Sequence, residues 1–364
     1  MVIEQEALLI LNAIPGLTAR RIRLLCNHFG SAGRVLLARR KELSHIGILS
    51  NPCIEQLMSF DRDNFLKTEM GLMAEHNVQP ITMEDYFYPQ DLAEISDPPV
   101  VLYVKGSLKL AGKRAMALVG SRQASLYGLQ MARELAERLG QMGFPIVSGL
   151  ARGIDTAAHR GCLHTGMRTY AVLGCGLAHR YPPQNAKLMD EIAANGAVLS
   201  EFSMSMPPLA RNFPQRNRII SGLSLGVVVV EAGRNSGALI TSRFALEQGR
   251  EVFAVPGRLG DANTYGTHRL IQQGAKLITG VEDILDEIPL APENPIERRT
   301  DLTRDSVYDS RDEAFVLNAL DRPLGIDDLI KRTGKPSAEM LKLLFTLELR
   351  RKVRRMPGMH FERI

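Results

Sequence analysis

Apolar residues fall into distinct rhythms along this chain, and each rhythm predicts its own architecture. Over the first 70 residues they recur at helical spacing. Leu8, Leu9, Leu11 and Ile14 come first, then Ile22, Leu24, Leu25 and Phe29, then Val35, Leu36, Leu37 and Leu43. From Lys113 onward the rhythm changes to short, nearly continuous apolar runs rich in β-branched residues. These are Ala115–Val119, Pro145–Val147, Thr169–Leu173, Ala197–Leu199, Gly226–Val230, Glu251–Val255 and Ala275–Ile278. Between them lie helical patterns such as Gln130–Leu139, Asp155–Leu163, Ala238–Gln248 and Val281–Ile288. Continuous apolar strands alternating with helices predict a parallel sheet covered on both faces, with ligands at the carboxyl ends of its strands.

The segments at either side read differently. Residues 80–110, punctuated by Pro80, Pro89, Pro98 and Pro99, read as a connection. Residues 289–310 carry prolines and mixed charge without periodicity and read as a linker. Three helical patterns follow, Asp312–Leu320, Ile326–Arg332 and Ser337–Arg351. After them Lys352–Arg363 carries a Pro357-Gly358 turn suited to a two-stranded wing, which gives a winged-helix arrangement. The expected organisation is a helical module over residues 1–75, a Rossmann-like α/β core over 80–288, a linker over 289–310 and a winged helix over 311–364.

Composition narrows the class. At 364 residues, with 45% hydrophobic and 23% charged side chains, the chain is an ordinary globular one of two or three domains. No apolar run approaches the ~20 residues of a membrane span, and the acidic N-terminus, MVIEQEALLI, is unlike a signal peptide. Cys26, Cys53, Cys162 and Cys175 make no C-x-x-C pair, so neither a disulfide framework nor a metal site is expected. A reduced, cytoplasmic protein without cofactor is the expectation. The net charge of +5 is unevenly spread: residues 111–288 hold 19 basic and 14 acidic side chains and 22 of the 31 glycines. A basic, glycine-rich core suits phosphate, including nucleic acid; solubility explains so small a surplus equally well.

The glycines sit at strand ends, where chemistry is expected. Gly120-Ser121-Arg122 follows the first run, and Ser148-Gly149-Leu150-Ala151-Arg152-Gly153 the second. Gly174-Cys175-Gly176 closes the third, and Ser236-Gly237 opens the helix after the valine-rich strand. Such turns offer free amides, hydroxyls and arginine to an anion. The third turn lacks the final glycine of a dinucleotide fingerprint, and neither a P-loop nor an H-E-x-x-H motif occurs. Residues 211–220, with Phe213 among Arg211, Arg216, Asn217 and Arg218, combine phosphate-binding charge with a ring for stacking, which favours single-stranded nucleic acid; an exposed helix start is the competing reading. Asp155 and His159 stand one helical turn apart, as an acid/base pair or as a structural feature. Ile14-Pro15-Gly16-Leu17 resembles a helix-hairpin-helix or SAM-like turn, although the local charge is not basic. The basic run Arg350–Arg355 is a candidate DNA-backbone contact or a solvated face.

Taken in order, GSRQASLYG (120–128), SGLARGID (148–155), LGCGL (173–177), LSEF (199–202), NFPQRNRIISG (212–222), SGALITS (236–242), VFAVPG (252–257) and LIQQGA (270–275) resemble the DprA/Smf family of DNA-processing proteins. The resemblance implies a core that binds and protects single-stranded DNA and helps load the RecA recombinase in natural transformation, as a homodimer without catalytic turnover. It also implies that Ser121 and Arg122 hold a backbone phosphate and that Gly149, Gly174 and Gly176 line the same pocket. Phe213, Arg216, Asn217 and Arg218 would then form the DNA-contacting stretch. His268 stands where the family pattern leads us to expect asparagine. Two other readings stay open: a nucleoside-monophosphate hydrolase using Glu231 and Arg122, although residues 231–234 lack the motif such an enzyme needs, and a transcription factor acting through the winged helix.

Overall fold

The computed structural model describes residues 4–85, 87–108 and 115–288, and, in the C-terminal part, 316, 319–320, 324–333, 340, 343–344, 347, 353–356 and 360–363. Residues 1–290 make one compact unit and 291–364 a second. The expected linker, most of the first and third C-terminal helical patterns, the Pro357-Gly358 turn and residues 350–352 of the basic run lie outside the described residues.

The chain opens with helices α1 (Glu4–Ala13), α2 (Ala19–Phe29), α3 (Ala32–Leu37), α4 (Arg40–His45), α5 (Asn51–Ser59) and α6 (Arg62–His76). Polar caps set their boundaries: the Thr18 hydroxyl accepts from the Arg21 amide, Ser31 from Arg34 and Asp61 from Asn64. Gly30, at φ 87°, ends α2.

The segment read as a connection holds two strands, β1 (Val78–Thr82) and β2 (Val101–Gly106), with a short helix, α7 (Gln90–Ala93), between them. Their antiparallel pairing places Pro80 opposite Tyr103. A proline there is tolerated because β1 is an edge strand and needs no second row of amide donors. The alternating part then runs β3 (Met116–Val119), α8 (Leu126–Gln141), β4 (Ile146–Ser148), α9 (Ile154–His164), β5 (Thr169–Leu173), α10 (Ala186–Asn195), β6 (Ala197–Ser200), α11 (Asn212–Gly222), β7 (Gly226–Val229), α12 (Ala238–Glu247), β8 (Glu251–Ala254), α13 (Tyr265–Gln272), β9 (Lys276–Leu277) and α14 (Glu282–Leu285).

Among the described residues these strands form one sheet in the order β1-β2-β6-β5-β4-β3-β7-β8-β9. From β6 to β9 all pairs are parallel, and β2 joins β6 antiparallel. Strand burial explains the continuous apolar runs. Met116 and Leu118 pack with α8 and α9, whereas Ala117 and Val119 pack with α11 and α12 on the other face. Helices α1–α6 share a third apolar cluster with Tyr103, Ala171, Leu173 and Val198, so they continue the core of the sheet.

The strand order reverses between β3 and β7. Parallel sheets leave a crevice at such a switch, outside the carboxyl ends of the strands, and the glycine turns converge there.

In the C-terminal unit β10 (Leu324–Gly325) leads into α15 (Ile326–Thr333). The expected wing is the hairpin β11 (Val353–Met356) and β12 (His360–Arg363), which pairs Val353 with Arg363 and Met356 with His360. Val316, Leu320, Leu329, Leu344, Val353 and Phe361 are among its buried core residues.

Candidate nucleic-acid interface

The crevice at the switch is an open cleft of about 740 Å³. Its lining comes from the turn after β3 (Ser121, Arg122, Gln123), the turn after β4 (Ala151, Arg152), the first turns of α11 (Phe213, Arg216, Asn217) and the turn after β7 (Asn235, Ser236, Gly237). A smaller recess of about 50 Å³ shares Arg122, Tyr181 and Phe213 with it and adds Gly149, Gly174 and Cys175. Because the strands are parallel, turns far apart in sequence reach one edge together.

Phe213 is held from behind by the third glycine turn. A Cβ on Gly174 would lie 2.8 Å from its ring, so only glycine lets the ring seat there. The Arg122 guanidinium lies 5.4 Å from the ring centroid, and Tyr181 packs on the same ring with centroids 5.6 Å apart. Arg122 and Arg152 are exposed, and Phe213 and Tyr181 are half-buried. The result is an arginine–aromatic wall facing solvent. Tyr181 was missed in the sequence reading; its signal is an aromatic residue a few positions beyond the Gly174-Cys175-Gly176 turn.

The floor is polar and already satisfied. Gly149 and Ala151 amides donate to Asp155 Oδ2 at 3.1 and 3.2 Å. Arg216 donates through Nη1 to the carbonyls of Gly149 (3.0 Å) and Val172, and through Nε to Asn217 Oδ1. Asn217 Nδ2 in turn donates to the Gly237 carbonyl, so a chain of bonds fixes the turns after β4 and β7 to α11. Burial pushes Asp155 above its ordinary carboxyl range, opposed by the Arg216 charge and the two amides. Burial lowers Arg216 to about 10, opposed by Asp155, so the guanidinium stays charged at neutral pH. Asp155 is the sole acid among the described lining residues, and it is engaged.

Several residues singled out in the sequence stand elsewhere. Arg218 does not line the cleft. Its side chain is 6% exposed and forms a two-pronged pair with Glu201, both N–O distances being 2.7 Å, while Nε donates to the Asp97 carbonyl at 2.9 Å. Gly176 is structural: a Cβ there would meet the Ser203 and Met204 carbonyls at 2.1 Å. Asp155 and His159 do not pair. Thr169 Oγ1 donates to the Ile146 carbonyl, so it accepts from His159 Nδ1 at 2.7 Å, and the histidine is fully buried. Burial, helped by the Arg216 charge, holds His159 down to about 3. Glu231 turns toward the start of α8, accepting from the Ser125 amide at 3.0 Å and from its hydroxyl, and does not line the cleft. His268, in the position expected to hold asparagine, sets its Nε2 3.0 Å from the Gly257 carbonyl and braces the loop after β8. Ser121, Arg122, Arg152, Phe213, Arg216, Asn217, Ser236 and Gly237 come together in the cleft, and Gly149 and Gly174 back it in the recess.

Residues 79–289 match the family model described as DNA recombination-mediator protein A, and residues 300–359 match the DprA winged helix domain. The chain belongs to the DprA/Smf family. Among its DprA/Smf relatives, Protein Smf of Escherichia coli is 40% identical over 319 residues, covering 84% of this chain and 82% of the relative. The crystal structure of DprA from Streptococcus pneumoniae superposes with a TM-score of 0.69 at 38% identity, covering 80% of this chain and 99% of that one. DprA from Helicobacter pylori, a structure described for its single-stranded DNA binding mode, superposes with a TM-score of 0.52 at 32% identity, covering 57% of this chain and 94% of that one. The DprA/Smf assignment therefore covers both units of the chain. No helix among the described residues is long and apolar enough to cross a membrane, and no cluster of His, Cys, Asp or Glu among them is arranged to hold a metal.

Proposed function

We propose that this protein binds single-stranded DNA in the cleft at the β3/β7 switch and protects it. It then presents the strand to a RecA recombinase during recombination or transformation, as a cytoplasmic homodimer without catalytic turnover. The observation that carries the DNA reading is the arrangement of Arg122, Phe213 and Tyr181. An exposed guanidinium stands over a ring whose neighbour is a second ring, beside the Ser121 turn, where the Gln123 amide donates to the Ser121 hydroxyl oxygen at 3.1 Å. Arginine takes a backbone phosphate, and the rings take base faces that a duplex would keep stacked inside. Ser236 and Gly237, at the start of α12, line the cleft opposite, where the positive end of the helix dipole favours an anion.

The hydrolase alternative needs Glu231 as an acid or base, and its carboxylate is committed to Ser125. The relatives named for DNA processing and the solved single-strand binder support the same reading for this chain. Recombinase loading and dimerisation rest on family resemblance. The direct test of the site is Arg122→Ala. Loss of a charge-assisted phosphate contact should weaken single-strand affinity by about ten- to a hundredfold at fixed salt, with unchanged unfolding behaviour. Wild-type affinity in that variant would overturn the assignment.

A further inference from the structure

A second arginine–aromatic pair stands on the other side of the cleft. The Arg234 guanidinium lies 4.2 Å from the centroid of Tyr265, closer than Arg122 lies to Phe213. Both residues are exposed, and among the described residues no carboxylate pairs with Arg234. Arg234 follows Gly233 and precedes Asn235, both of which line the cleft, as does Asn263 two residues before Tyr265. The pair therefore adjoins the cleft on its β7–β8 side, whereas Phe213 and Tyr181 form the wall toward β5.

The platform is braced from below. The Ala232 amide donates to the Asn263 carbonyl at 2.7 Å, and the Gly266 amide to the Ala232 carbonyl at 2.6 Å. A Cβ on Gly266 would lie 2.7 Å from that of Ala232, so glycine lets α13 close onto the end of β7 and sets Tyr265 beside Arg234. Asn263 Nδ2 donates to the Gln123 carbonyl, tying this loop to the turn that carries Arg122. His268 and Thr264 hold the loop after β8 from inside.

We propose that Arg234 and Tyr265 are a second stacking platform for a nucleobase of the same single strand. Held over the Tyr265 ring and exposed, the Arg234 guanidinium offers a flat surface for a base and edge donors for a phosphate. Three inter-strand spacings separate β5 from β7, about 14 Å. That is several times the rise of about 3.4 Å between stacked nucleotides, so the two platforms take different bases of one strand. This inference rests on the reading of the cleft as a single-strand site.

The test is competition binding with oligothymidylates of increasing length. Wild-type protein should gain affinity in a step once the strand spans both platforms. Tyr265→Ala and Arg234→Ala should flatten that step, costing about five- to a hundredfold with long strands and nothing with the shortest ones. Tyr265→Phe should keep the step, because it keeps the ring. Arg122→Ala should weaken binding at every length. If Tyr265→Ala and Arg234→Ala follow the wild-type curve at all lengths while Arg122→Ala does not, the second platform is refuted and the cleft stands. If Arg122→Ala is also without effect, the cleft reading falls and the platform with it.

Discussion

Replacing Arg218 with alanine tests whether this side chain holds the fold together or meets the strand. Its guanidinium is held by both oxygens of Glu201 at 2.7 Å and by the carbonyl of Asp97, and neither member of the ion pair is more than 6% exposed. Burial disfavours its charge, but the Glu201 and Asp97 carboxylates outweigh that and raise its pKa. Removing the arginine strands the Glu201 carboxylate without a partner, which should cost about 3–5 kcal/mol of folding stability. That is a large share of the roughly 5–15 kcal/mol by which domains are stable, so the variant should fold at 25 °C with a much lower urea midpoint. Arg218→Ala combined with Glu201→Gln should recover part of the loss, because the stranded charge is gone; the cycle isolates the pair. Single-strand affinity of the folded variant should stay near wild type, since Arg218 does not line the cleft. A wild-type urea midpoint together with lost DNA binding would refute this reasoning and return Arg218 to the interface.

Two further predictions concern charge. Replacing Arg122 with alanine should lower the slope of log affinity against log salt by about 0.7, the value for one single-strand phosphate contact; an unchanged slope would mean that Arg122 meets no phosphate. His159 should make stability fall in acid: the unfolded histidine takes a proton below about 6.5, whereas the folded one, buried and beside Arg216, resists until about 3. Stability is thus complete above pH 6.5 and is lost as pH drops toward 3, by about 2 kcal/mol between pH 7 and 5. His159→Leu should remove that increment from urea midpoints at the two pH values; equal acid sensitivity in both proteins would show that another group carries it.

The parallel core was legible because burial on both faces writes itself as unbroken apolar runs, and parallel order then brings the glycine turns to one edge. The edge strands were hidden for the converse reason. Pro80 reads as a break, and nothing local reveals that β1 has a partner on one side only. The cleft lining was readable where residues reach it from their own turn, as Ser121 and Arg122 do. It was not readable where partners are remote. Arg216 and Arg218 sit two residues apart in one motif, yet the first reaches a carbonyl 67 residues away and the second a carbonyl 121 residues away. No spacing rule separates an arginine buried under the cleft floor from one that finds Glu201. Tyr181 and Tyr265 are equally illegible, since each is placed by a contact with a residue remote in sequence, Phe213 and Arg234.

On this reading the cleft distinguishes single strands from duplex. Fluorescence-anisotropy titrations of a labelled single strand and of its duplex, at two salt concentrations, test it most directly. A marked preference for the single strand that weakens steeply with salt is the predicted result. Equal or negligible binding to both would contradict it and leave the cleft as a site for a small phosphorylated ligand.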